Sequence, residues 1–402
     1  MNVYLRKYVI FLYPLFPFFS FIVSLFNLKN KLNRIVFILF YGLFGYVHRL
    51  DDSGADAFRK AEAFVSFPNE ITLNDVWSDY LLGKTHDIFQ TSFFVILRMF
   101  TDNPHVMLMC VGLILGVLFS LIIKWFLKDV NENQYTSSIY ILVFFLVVFF
   151  NPILIGGIRN GIALGCFTFS AIRFLIEKKN IWLIPILCCP LIHFSFFITI
   201  PFVIFARYFK IKIDVLFYLV IIVMIMSLFI SSDSFSNILG NINIDQYSEA
   251  VAGKVEANTS AQALEVHKGS LTVFLMKVQL FVGRLYIIPL LFYFRKIRKT
   301  RVLIPKDEWL YYIMLYSLLF SYMMTILPVV GDRYLPFSQL LVYYFLLRIY
   351  IYYPDNKVKN YIKLIPFVYI INLSWCIFET ILLVRYTIFF APLPLLIIGE
   401  LI

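Results

Sequence analysis

The chain has 402 residues, 61% of them hydrophobic and 15% charged, with a mean hydropathy of +0.83. Soluble domains carry about 45–50% apolar and about 25% charged residues, so a soluble fold is excluded and a polytopic, all-α integral membrane protein is expected. The net charge of +11 does not point to nucleic acid, because the basic residues sit in short loops between apolar runs, where they set topology.

Apolar runs lie at about 8–27, 34–48, 104–127, 136–151, 153–177, 181–206, 213–231, 271–294, 308–328, 334–352, 361–378 and 380–399. They predict about 12 transmembrane helices in a single membrane domain, 1–402, with some spans too short to cross roughly 30 Å unaided. The first run exceeds a signal-peptide core and lacks a small-residue cleavage site, so it reads as a retained span. Cys110, Cys166, Cys188, Cys189 and Cys376 lie within apolar segments and read as small buried hydrophobes. No CxxC or comparable metal spacing occurs, so no metal and no cofactor is expected.

Orientation follows from the loop cations. Arg295, Arg298, Lys299 and Arg301 mark a cytoplasmic loop, as do Lys357–Lys363, Arg207–Lys212 and Lys29–Arg34. The turn at Gly331–Tyr334 is then external, and so are two polar segments, about 49–103 and 232–270, the latter with five acids against two lysines. Within the first, 57–67 and 73–82 mix apolar and polar positions at helical spacing and are predicted to be helices on the membrane surface. Lys178, Lys179 and Arg207 all favour the cytoplasm, yet one helix across 181–206 would separate them. Pro185, Pro190 and Pro201 interrupt that run. Two limbs, about 181–192 and 195–206, meeting near His193 resolve the conflict; one kinked helix is the alternative.

Five places combine polarity with membrane depth or an external position. Arg159 opens the span to Ile176 among Gly156, Gly157, Gly161 and Gly165. Its planar fork of donors matches phosphate oxygens, while the plainer reading is an arginine snorkelling to an interface. His193 lies in Pro190-Leu-Ile-His193-Phe-Ser195 and is either a general base or a hydrogen-bonded core residue. Arg333 is a second phosphate contact or a local partner of Asp332, and Arg284 is a mid-span cation beside Gly283. Asp56 is a contact for sugar hydroxyls, a base, or a solvated loop acid. Several cations and few acids at depth match a lipid-linked phosphate or diphosphate, whose departure fixed arginines stabilise.

Gly157-Ile-Arg159-Asn160-Gly-Ile-Ala163, then Glu177-Lys178-Lys179, then Ile192-His193-Phe-Ser195, resembles the EpsG-like family of exopolysaccharide and O-antigen repeat-unit polymerases of the Wzy type. Gly54-Ala-Asp56-Ala-Phe58 and Asp332-Arg333-Tyr334 resemble further segments of that family, with Asn160 where glutamine is usual and Phe58 where tyrosine is common. The resemblance implies a GT-C-like helical architecture and a membrane glycosyltransferase in the bacterial inner membrane. Its substrate would be a polyprenyl-diphosphate-linked oligosaccharide, polymerised at the outer, periplasmic face. A chain-length regulator and a flippase of the same pathway are the expected partners beside the lipid bilayer. On this reading Arg159 holds the departing diphosphate, His193 orients or deprotonates the attacking hydroxyl, Arg333 and Arg284 fix the lipid diphosphates, and Asp56 touches the glycan. The alternatives are a flippase for the same lipid-linked glycan, an O-antigen ligase, and a scaffold whose arginines only set topology.

Overall fold

The computed structural model describes residues 9–51, 56–85, 88–131, 134–229, 271–301, 303–325, 333–353, 355–384 and 386–398. The expected external segment 232–270 lies outside them, as do Gly54 and Asp332. Among the described residues every regular element is helical and no strand occurs.

The chain opens with α1 (Val9–Leu12) and α2 (Pro17–Leu25), then α3 (Lys31–Tyr46). Three short helices follow, α4 (Asp56–Val65), α5 (Leu73–Leu81) and α6 (Phe89–Arg98). Next come α7 (Pro104–Phe126), α8 (Ser137–Phe149) and α9 (Ile158–Ala171), the last extended by a π turn, Ile172–Ile176. Then α10 (Leu183–Ile192), α11 (Thr199–Tyr208), α12 (Ile213–Met226), α13 (Leu271–Thr300), α14 (Pro305–Met324) and α15 (Leu335–Tyr352) lead to α16 (Asn356–Val368), α17 (Ile370–Val384) and α18 (Leu393–Ile398).

Among the described residues, four helical stretches are long and apolar enough to cross a membrane: Pro104–Phe126, Ser137–Ile155, Lys277–Thr300 and Leu335–Tyr352. A fifth results if α16 and α17, bent by 43°, form one span. Apolar runs and span-length helices part where the backbone breaks. The run at 8–27 divides around Pro14 and Pro17, the run at 361–378 divides at Tyr369, three residues after Pro366, and the run at 380–399 is shared between the end of α17, a 3-10 turn at Tyr386–Phe389 and the short α18. Proline removes an amide donor and crowds the preceding turn, so each such run yields limbs shorter than the sequence suggests.

The described residues form two compact units, one drawn from 1–172, 181–197 and 373–402, the other from 173–180 and 198–372. In the first, α3 and α7 cross at backbone contact. A Cβ on Gly45 would overlap the Leu108 carbonyl, and one on Gly112 would overlap that of Tyr41. Small residues permit this approach, which supplies dispersion where lipid offers no hydrophobic drive. Around the crossing the rings of Phe21 and Phe40 stack at 4.2 Å, and Tyr41 meets Phe119 edge-on at 5.8 Å. One end of this pair carries Lys29, whose Nζ donates to the Val130 carbonyl at 2.6 Å. The other end carries α4, α5 and α6. Phe64 is fully buried and meets the Phe94 ring at 5.2 Å. Arg98 donates to Asn69 Oδ1 at 2.8 Å and pairs with Asp102 at 2.8 Å. The helices expected over 57–67 and 73–82 are α4 and α5, and α6 is an addition to that expectation.

In the second unit the loop cations gather at one end. Asp214 pairs with Arg295 at 2.9 Å, Glu308 with Arg298 at 3.3 Å, and the buried Asp307 with Arg348 at 2.7 Å. The Lys178 ammonium lies 4.5 Å from the Trp309 ring, whose Nε1 donates to the Leu175 carbonyl at 2.7 Å. Arg207 reaches the Lys178 carbonyl at 3.3 Å. The ends of the 181–206 run thus return to each other, as the charge conflict required.

Candidate functional site

Arg159 owes its place to a broken connection. After α8 the chain makes a 3-10 turn, Pro152–Ile155, and passes through Gly156 and Gly157 before α9 begins. Gly157 caps α9 with no side-chain hydrogen bond, and the first intrahelical bond runs from the Gly161 amide to the Gly157 carbonyl at 2.9 Å. The amides before Gly161 have no intrahelical acceptor, and the positive end of the helix dipole lies there. Arg159, the second helical residue, is half-buried. Amides, dipole and guanidinium together make a place for an anion. This turn lies at the end of the unit that carries α4: a Cβ on Gly156 would sit 3.8 Å from Ala57 Cβ.

His193 sits at the break itself. It ends α10 with extended φ −150° and ψ 114°, and a 3-10 turn, Phe194–Ile198, precedes α11. The limbs expected at 181–192 and 195–206 are therefore present as α10 and α11. Helix α10 packs along α9, with Phe169 edge-on to Trp182 at 5.2 Å and Phe167 against Phe196 at 5.7 Å. The Ile88 amide donates to the Leu191 carbonyl at 3.0 Å, tying the residues before α6 to the end of α10. The Ser195 amide donates to His193 Nδ1 at 3.2 Å, and the Ser195 hydroxyl lies 3.1 Å from the same nitrogen. An amide only donates, so Nδ1 holds the lone pair and the proton of the neutral ring resides on Nε2. Ser195 thereby sets His193 as a donor, which favours orienting an oxygen over deprotonating one.

Asp56 is exposed at the start of α4 and pairs with Arg59 at 2.7 Å. Arg333 and Arg284 belong to the second unit. Arg333 is half-buried in the turn before α15. Arg284 is 4% exposed; its Nη2 donates to Ser227 Oγ at 2.9 Å and to Thr325 Oγ1 at 3.4 Å, and its guanidinium lies 5.1 Å from the Tyr322 ring. Ser227 and Thr325 cap the C-termini of α12 and α14, so Arg284 sits where two neighbouring helices end. It lies roughly 16 Å along α13 from the Arg295 end. Among the described residues no carboxylate pairs with it, and its Nε is buried without a hydrogen bond.

A family model described as the EpsG family matches residues 34–388. The chain belongs to the EpsG family. The match runs from α3 to the turn after α17 and includes all five candidate residues, so the likeness read in Gly157–Ala163, Glu177–Lys179 and Ile192–Ser195 is one of membership. EpsG-family membership points to a polysaccharide-polymerase-type role and glycosyltransferase-like chemistry, and the apolar helices make this a membrane protein. No curated protein and no solved structure matches the chain.

The sequence did not single out His48. It follows α3, is fully buried, and among the described residues its Nε2 has no hydrogen-bond partner, as is also true of Asn160 Oδ1. The signal was present but ordinary: one imidazole at the end of an apolar run, 108 positions before the glycine it faces.

Proposed function

We propose that this protein joins polyprenyl-diphosphate-linked oligosaccharide repeat units at the outer, periplasmic face of the inner membrane, lengthening an O-antigen or exopolysaccharide. The observation that carries the reading is the start of α9: an uncapped helix N-terminus with Arg159 as its second residue, at the end of its unit that bears the polar segment 49–103. The diphosphate of the donor lipid rests on these donors and departs with its electron pair as the new glycosidic bond forms. Fixed donors aimed at the developing charge stabilise it with little reorganisation. The transition state has oxocarbenium character, as at other glycosyl centres. His193, with its proton on Nε2, holds an oxygen of the reacting sugars. Arg284, a buried cation surrounded by hydroxyls, suits a second lipid phosphate, with Arg333 as a further contact and Asp56 as a glycan contact. A chain-length regulator and a flippase act beside it in the same pathway.

Deletion tests the reaction. Loss of a polymerase leaves surface glycan capped with one repeat unit, whereas loss of a flippase leaves none outside and loss of a ligase leaves long polymer on its polyprenyl carrier. Arg159→Ala and Arg159→Lys are both expected to abolish chain extension at unchanged protein level, since neither offers the planar fork. Normal extension in Arg159→Ala removes this residue from the mechanism.

A further inference from the structure

His48 Nδ1 lies 3.0 Å from the carbonyl oxygen of Arg49. A carbonyl cannot donate, so Nδ1 carries the proton of the neutral ring and Nε2 carries the lone pair. That lone pair is sealed from solvent and meets no donor among the described residues. A buried acceptor without a partner is costly, and in a native structure it asks for an explanation. Its direction supplies one. A Cβ on Gly156 would sit 3.9 Å from Nε2, so the imidazole edge faces the Gly156–Gly157 break that opens α9, three positions before Arg159. The two imidazoles that bracket α9 are thus set in opposite senses: His193 accepts at Nδ1 from Ser195, while His48 donates at Nδ1 to Arg49 and keeps Nε2 for another group.

We propose that His48 is the proton acceptor of the transfer, a role that rests on the polymerase reading. The hydroxyl oxygen of the acceptor repeat unit bonds to the anomeric carbon of the donor glycan. Its proton passes to His48 Nε2. The bond from the anomeric carbon to the diphosphate oxygen breaks, and the electron pair leaves with the diphosphate, held by Arg159 and the α9 amides. The imidazolium then passes its proton to the released diphosphate, so the ring ends as it began. Gly156 has a specific part in this geometry. Its neighbours would admit a methyl at ordinary contact distance, with 3.6 Å to the Ile153 carbonyl as the tightest approach, so packing alone does not demand glycine there. A methyl would instead stand over Nε2.

The test uses the full-length protein in lipid nanodiscs with a polyprenyl-diphosphate-linked repeat unit, reading polymer length, kcat and KM. Failure of the wild type to form polymer strikes the polymerase reading itself. Given an active wild type, His48→Asn keeps a donor towards the Arg49 carbonyl and loses Nε2. Its kcat is expected to fall by about 100-fold or more, as for loss of a general base, with KM and folded yield near wild type. Added imidazole is expected to restore part of the rate in His48→Gly. A His48→Asn enzyme within threefold of the wild-type kcat, or one whose loss lies wholly in KM, overturns the proposal. Should His48→Asn fail to fold, Gly156→Ala decides: a fall in kcat of about tenfold or more at wild-type thermal stability supports the role, and an unchanged kcat overturns it.

Discussion

Arg348 and Arg284 are both almost sealed inside the second unit, 2% and 4% exposed, yet their surroundings differ in kind. Arg348 meets Asp307 at 2.7 Å, and Tyr353 adds a hydroxyl to the same carboxylate at 3.3 Å. Arg284 has two hydroxyls and a tyrosine ring, and no carboxylate among the described residues. Hydroxyls accept hydrogen bonds without cancelling charge, so Arg284 keeps a net positive field in a buried place. The first arrangement ties helices α14 and α15 together at the basic end of the unit. The second leaves α13, α12 and α14 arranged around a charge whose partners, among the described residues, are hydroxyls and a ring.

The largest expected effect separates these two. Arg348→Ala strands Asp307 in the interior and is expected to cost about 3–5 kcal/mol, seen as a collapse of the unfolding midpoint in detergent. Arg348→Met combined with Asp307→Leu should recover most of it, because the charge and its counter-charge leave together. A single variant as stable as wild type would show that the pair does not hold the unit.

Arg284→Met should behave oppositely. Its midpoint without lipid is expected to equal or exceed the wild type, since removing an uncompensated buried charge relieves the protein. Polyprenyl diphosphate at 100 times its Kd should stabilise the wild type by about 2.7 kcal/mol and the variant far less. A variant that unfolds early, or that responds to the lipid as the wild type does, would make Arg284 another structural charge like Arg348.

The smallest effect lies outside the span-length helices. Asp75 closes a capping box at the start of α5, where the Thr72 hydroxyl and then the Thr72 amide hold its carboxyl below the usual carboxylate range. A carboxyl depressed in the folded state stabilises fully above its unfolded value of about 3.9, and that stability is lost as the pH falls through the folded value. The protection factor of the Thr72 amide, which donates to the Asp75 carboxylate, should therefore fall in acid in the wild type, and Asp75→Asn should lose that dependence. Persistent acid sensitivity in Asp75→Asn would assign it to another group.

The break at His193 was legible because two independent signals converged on it, the prolines of 181–206 and the wish of Lys178, Lys179 and Arg207 to share one side. The glycines before Arg159 announced a helix start in the same way. Helix α6 was not legible. Phe89-Gln-Thr-Ser-Phe-Phe-Val-Ile-Leu-Arg98 is rich in aromatic and β-branched residues of weak helix preference, and its helix is secured by contacts from far away, Phe94 on Phe64 and Arg98 on Asn69. His48 was hidden for a related reason. Its meaning lies in facing Gly156, and nothing local to Val47-His48-Arg49 reports that. Arg284 reads as mid-span along its own helix, and only the ends of α12 and α14 reveal what surrounds it.

The crossing of α3 and α7 carries a consequence for substrates of any size. Where Gly45 and Gly112 bring the two backbones into contact there is no side chain to swing aside, so this pair is a fixed post with no give at the crossing. On the polymerase reading proposed above, an oligosaccharide several rings long cannot make room by parting them. On that reading accommodation at that end of the unit falls to the segment between the two helices, and variation in which sugar is accepted should accumulate there, in α4, α5 and α6, while the post stays the same.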